Sequence, residues 1–181
     1  TVRHIPSCAS RGTITIDKQR CNIYTNIIPI YKAGDLVMEL VIGLMSGTSR
    51  DGVDAALIKT DGLSSVEPVA FQFEPYPDYL RSIITVACDI AMGSTQPQVH
   101  PIIEQCETSL GERHLAVIKA LLKKARVLAS EISLVGLHGH TIAHRADLGW
   151  TWQIGKPEFL ANQLDIPVMS NMRQYDVMYG G

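Results

Sequence analysis

The densest chemistry in this sequence lies in one continuous stretch, Gly43-Leu44-Met45-Ser46-Gly47-Thr48-Ser49-Arg50-Asp51-Gly52-Val53-Asp54. Small residues let a backbone approach a ligand closely, since no Cβ stands in the way. Successive N–H groups in such a turn form a concave nest that favours an anion. The hydroxyls of Ser46, Thr48 and Ser49 add donors. Asp51 and Asp54 would repel a bare phosphate, so they fit only with a cation between. A hard divalent ion such as magnesium binds phosphates together with one or two carboxylates. The stretch therefore reads as a metal–nucleotide phosphate loop, with an ordinary polar hairpin turn as the plainer reading. It is not a Walker loop: it has no Gly-Lys-Ser/Thr, and a strand pattern follows where that motif needs a helix.

A second cluster, Gly136-Leu137-His138-Gly139-His140-Thr141-Ile142-Ala143-His144, holds three of the six histidines. His138 and His140 are two apart and would share a face on a strand. With His144 they would make a three-histidine metal site, the basis of a metal-dependent hydrolase. Against that, Gly139 is expected to break the strand, and no carboxylate is placed as an evident partner. A polar, substrate-facing turn is the better reading, with Thr141 and a histidine offering hydrogen bonds.

The elements that must position these residues follow from periodicity. Strands are expected over about 39–45, 53–60 and 66–73, with Asp61-Gly62 as the tight turn of an antiparallel meander. Helices are expected from about Asp78, where Leu80, Ile83, Ile84 and Ala87 recur at helical spacing, and over Pro101 to about Arg126. On the second helix His114 falls on the apolar stripe and reads as a packed core residue, while Lys119, Lys123 and Lys124 read as a solvated face. A buried strand over Ser133–His138 is entered from a helix, so it should run parallel to the first strand. A hairpin over Thr141–His144 and Trp150–Ile154, a helix over Pro157–Leu164 and a strand over Asp165–Met169 complete the pattern, and the last residues look strand-like. Together they give an α/β fold with a mixed sheet.

Composition narrows the function classes. The 181 residues are 46% hydrophobic and 19% charged, with a formal charge of −2, which offers no electrostatic case for nucleic acid or an anionic membrane. The longest nearly apolar run, Leu36 to Met45, is too short to span a bilayer. Cys8, Cys21, Cys88 and Cys106 are scattered with no Cys-x-x-Cys, so a reducing compartment, the cytoplasm, is expected. Residues 1–34 hold five Lys/Arg and one acid, Asp17; residues 1–38 read as a leader, targeting or unstructured. The start at Thr1 and the end at Gly180-Gly181 read as processed or incomplete termini.

The 43–54 stretch, His138-Gly139-x-Thr141, Gln153-Ile154-Gly155 and Arg173-x-x-Asp176-Val177, in that order, resemble the anhydro-N-acetylmuramic acid kinases over about residues 40–181. The resemblance implies the N-terminal lobe, residues 39–181, of an actin/hexokinase-like ATPase with a ribonuclease H-like core. It implies ATP and Mg2+ as cofactors and a small amino sugar as substrate, with no nucleic acid or membrane partner and a homodimer as a compatible state. The family opens the 1,6-anhydro ring of its sugar with water and phosphorylates O6, in the recycling of cell-wall sugars. By similarity Gly47, Thr48, Ser49, Arg50, Asp51, Gly52, Val53 and Asp54 line the ATP site, with Asp51 near the metal, and His138, His140, Thr141 and Arg173 face the sugar. Arg50 stands where the family usually has Leu, and His140 where it has Gln. Arg50 would pair with Asp51 or touch a phosphate. Asn171-Met172-Arg173-Gln174-Tyr175-Asp176 replaces an Asp-Phe-Arg-Arg-Arg-Asp run. The family's catalytic Asp belongs to a motif beyond Gly181, so no catalytic residue is expected within 1–181, and little or no turnover by these residues alone. A catalytically dead lobe serving as a binding or assembly module is the alternative.

Overall fold

The computed structural model describes residues 22–24 and 38–178. Three antiparallel strands, β2 (Glu39–Ser46), β3 (Gly52–Thr60) and β4 (Val66–Pro75), form the expected meander. Asp61 closes its second turn by accepting the N–H groups of Leu63, Ser64 and Ser65, each at 2.9 Å. Those donors, Ser65 first, hold the Asp61 carboxyl down at about 2. Helices α1 (Asp78–Met92) and α2 (Pro101–Ala125) follow, then β5 (Ile132–Arg145), β6 (Trp150–Ile154), α3 (Pro157–Leu164), β7 (Val168–Ser170) and α4 (Met172–Met178). A short strand β1 (Asn22–Tyr24) pairs antiparallel with β7. The reading of the leader as targeting or unstructured otherwise lies outside the described residues.

Among the described residues the sheet has seven strands in the order β1-β7-β5-β2-β3-β4, with β6 also on β5. Strand β5 runs parallel to β2, as expected from its entry through a helix, and parallel to β7; β6 is antiparallel to it. This is the mixed, helix-flanked α/β sheet that the resemblance implies.

One face of the sheet carries the core. Ile42, Leu44, Val53, Ala55 and Leu57 alternate inward from β2 and β3 and are at most 3% exposed. They meet Leu80, Ile84 and Ala87 of α1 and Cys106, Leu110, Val117, Ile118 and Leu121 of α2, all fully buried. Each Leu or Ile so buried contributes roughly 1.5–3 kcal/mol. Helix α2 starts on His100, whose Nδ1 accepts the Ile102 N–H at 3.2 Å, and ends on Arg126 in the left-handed region, φ 56°. His114 is core, as its place on the stripe suggests. Lys124 does more than face solvent: its Nζ donates to the Phe71 carbonyl on β4 at 2.7 Å, engaging an edge strand. No helix among the described residues is long and apolar enough to cross a membrane.

Two elements differ from the sequence reading. Gly139 does not break its strand. It takes φ +75°, which a glycine tolerates, and β5 runs unbroken from Ile132 to Arg145 while its pairing passes from β7 to β6. The last strand is only Val168–Ser170, because Asp165 is used as the left-handed cap of α3, φ 55°, and the strand-like tail is the helix α4.

Candidate functional site

The turn from Gly47 to Asp51 leaves the C-terminal end of β2. It is closed by Arg50 N–H donating to the Gly47 carbonyl at 3.1 Å. Among the described residues no acceptor meets the N–H of Thr48 or Ser49, and both residues are exposed, the disposition an anion nest requires. Ser49 Oγ donates to Asp51 Oδ1 at 2.6 Å, and that bond is the main reason the exposed Asp51 carboxyl titrates lower than usual. Asp51 is thus a carboxylate at neutral pH, open to a hydrated cation. Asp54, half-buried on β3, lies on the sheet face opposite the helices. The pair fits the one-or-two-carboxylate donor set that magnesium takes beside phosphate. Gly52 and Val53 are buried in β3. Gly52 is glycine for the sake of β4: a Cβ there would meet the Glu74 carbonyl at 2.3 Å and the Phe73 ring at 2.5 Å.

Of the two courses offered by the sequence, Arg50 does not take the pairing with Asp51. Its backbone lies in the left-handed region, φ 59°, and its Nη1 donates to Thr85 Oγ1 on α1 at 2.7 Å. Asp51 is left to Ser49.

The second motif arrives beside the first through the parallel pairing of β2 with β5, which sets Ser46 opposite His140. The carboxyl ends of neighbouring parallel strands are where open α/β sheets bind ligands. His138 lines a cleft of about 620 Å³ bounded by β5, β6, α2, α3 and the end of β7. Its Nδ1 lies 2.9 Å from the Gly139 carbonyl, so the other ring nitrogen is the one left for a ligand. Gln153, Ile154 and Gly155 also line this cleft. Leu137, Ile154 and Phe159 give it apolar wall, and Gln153, Asn162, Ser170 and Asn171 give it neutral polar groups, the mixture that a hydroxyl-rich ring needs. Glu107 reaches in from α2 and accepts the Gly155 N–H at 3.2 Å. Lys156 packs its stem on Gly111 at the head of α3. The sequence reading missed Glu107, Lys156, Asn162 and Asn171. The one local signal was the Gly155-Lys156-Pro157 strand-to-helix turn; the convergence of α2, α3 and β7 is a long-range fact.

Three residues expected at the sugar lie outside the lining of this cleft. His140 is fully buried, and its Nδ1 lies 2.7 Å from Ser46 Oγ. The kink at Gly139 is the cause: it takes His140 to the core while His138 stays at the cleft. Burial, then the nearby Arg50 and His138, lowers the His140 pKa to about 4. Thr141 is half-buried and accepts Gln153 Nε2 at 3.2 Å, outside the cleft lining. Arg173 is exposed on α4 and is not among the lining residues. Nor do the three histidines converge, since His138 is half-buried, His140 is in the core and His144 is exposed. Among the described residues no group of three His, Cys, Asp or Glu is placed to hold a metal.

Comparison with known proteins agrees with the motifs. The sequence profile of the family AnmK, anhydro-N-acetylmuramic acid kinase, matches residues 39–181. The anhydro-N-acetylmuramic acid kinase of Rhizorhabdus wittichii is 46% identical over 142 residues, which cover 78% of this chain and 39% of that protein. That of Zymomonas mobilis is 45% identical over 145 residues, 78% of this chain and 40% of the relative. That of Salinibacter ruber is 38% identical over 152 residues, 78% of this chain and 37% of the relative. The chain thus spans about 40% of the length of the relatives it matches. With the profile covering every described residue of the sheet but β1, and with the glycine-hydroxyl turn and the His138 strand paired at one end of the sheet, the chain belongs to the anhydro-N-acetylmuramic acid kinase family.

Proposed function

We propose that this chain supplies one side of an ATP-dependent sugar-kinase site. The Gly47–Asp54 turn receives the nucleotide phosphates, and Asp51, with Asp54, would hold Mg2+ there. The cleft at His138 and Gln153–Gly155 receives the 1,6-anhydro-N-acetylmuramic acid. Water attacks the anomeric carbon and loses a proton, the C1–O6 bond opens, and O6 takes the γ-phosphoryl group. The products are N-acetylmuramic acid 6-phosphate, ADP and a proton released to solvent. Magnesium bound there would neutralise charge on the phosphates. The turn's N–H groups and hydroxyls orient them, and the cleft fixes the sugar, since this chemistry is mostly positioning and electrostatics.

The observation that carries the reading is the Ser46–His140 register of β2 and β5, which brings the anion-type turn and the sugar-type cleft to the same end of the sheet. Thr141 and Arg173 have no part in this reading, and Arg50 serves the turn by its backbone alone. Titrating MgADP and then the anhydro sugar into 15N-labelled protein tests it. MgADP should shift the amides of Gly47 to Asp54, and the sugar those of His138, Gly139 and Gln153 to Gly155. Shifts confined to other residues, or none from MgADP, would overturn it.

A further inference from the structure

Behind the turn lies a buried polar chain that neither motif announces. Tyr76, between β4 and α1, is 2% exposed, Ser46 is 2% exposed and His140 is fully buried. The Tyr76 hydroxyl donates to Ser46 Oγ at 2.7 Å, and the Tyr76 backbone N–H donates to the Asp51 carbonyl at 2.8 Å. One residue therefore grips both ends of the turn, at Ser46 where it leaves β2 and at Asp51 where it enters β3. With Tyr76 as donor, the Ser46 hydrogen is free to go to His140 Nδ1, 2.7 Å away. That assignment needs a neutral imidazole, and burial of His140 favours one. His140 is two residues from the cleft-lining His138 on the same strand.

We infer that Tyr76 and His140 are positioning residues: through the hydroxyl of Ser46 they hold the 46–51 turn in the shape that receives phosphate and fix it in register with the cleft strand. The inference rests on the proposed phosphate role of the turn, but its mechanical half stands on the hydrogen-bond chain. A Gln at position 140 offers a carbonyl oxygen to the same Ser46 hydrogen; a Leu does not.

Amide hydrogen exchange on the intact chain separates the two halves. In Tyr76→Phe and in His140→Leu the Arg50 and Tyr76 amides should exchange about five- to tenfold faster, as expected for one lost buried hydrogen bond. The amides of Leu57 and Val117 in the core should change less than about twofold, and His140→Gln should stay within about twofold of wild type throughout. Ser46→Ala, which removes the middle of the chain with little volume change, should match Tyr76→Phe. Unchanged exchange at Arg50 and Tyr76 would overturn the inference, as would an equal rise at Leu57 and Val117, which marks general loosening. MgADP affinity measured on the same proteins should fall about fivefold or more in Tyr76→Phe and in His140→Leu, and stay within about twofold of wild type in His140→Gln. A wild-type chain that takes no MgADP would overturn the phosphate role alone, leaving the exchange rates to decide the positioning.

Discussion

Ser46 and His140, 94 positions apart in sequence, meet with Oγ and Nδ1 2.7 Å apart in the core. The contact joins the two motifs at their roots. The kink at Gly139 that allows it leaves only one of the paired histidines facing the cleft.

Buried neutral histidines make the fold acid-sensitive. His114 has no hydrogen-bond partner on either ring nitrogen among the described residues, and burial, then His140, lowers its pKa to about 4. His140 titrates equally low. Their folded values lie below the unfolded 6.5, so between about pH 6.5 and 4 the unfolded chain binds more protons. Stability is full above pH 6.5 and falls as pH drops toward 4, by up to about 3 kcal/mol per histidine. Urea unfolding from pH 7.5 to 4 should show this fall. His114→Leu should roughly halve it, and should add about 1 kcal/mol at pH 7 by removing a buried group without partners.

Much of this fold was legible in the sequence, because its elements announce themselves locally. The alternation in 39–73, the helical spacing of Leu80, Ile84 and Ala87, and Pro101 and Pro157 at helix starts each depend on nearby residues. What was not legible depended on distant ones. Gly139 reads as a breaker unless β6 is known to wait beside it. His140 reads as a ligand until Ser46 is known to face it. The tail from Met172 reads as strand because its apolar residues are few and the helix lasts only seven residues. Of the site, the turn was legible; most of the cleft was not, since Glu107, Lys156 and Asn171 belong to three different elements.

Glycine at position 52 is set by the neighbouring strand. Gly52→Ala would press a methyl group onto the Glu74 carbonyl and the Phe73 ring. It should cost about 1–3 kcal/mol in urea unfolding. Gly43→Ala, where nothing lies within 4 Å, should change stability by less than about 0.5 kcal/mol.

Arg50, where the resemblance implies Leu, turns its guanidinium to Thr85. Arg50→Leu should therefore leave MgADP affinity within about twofold and stability within about 0.5 kcal/mol, since its one side-chain hydrogen bond is to an exposed hydroxyl. A loss of about tenfold or more in affinity would show that Arg50 reaches a phosphate.

The central claim is that the Gly47–Asp54 turn binds a magnesium nucleotide, and calorimetric titration of MgADP into the wild-type chain and into Asp51→Asn tests it most directly. The account predicts saturable one-site binding by the wild type. Asp51→Asn should weaken it about tenfold or more when magnesium is present, and the difference should vanish in a chelator. No binding by the wild type, or the same magnesium-dependent affinity in both proteins, would contradict it.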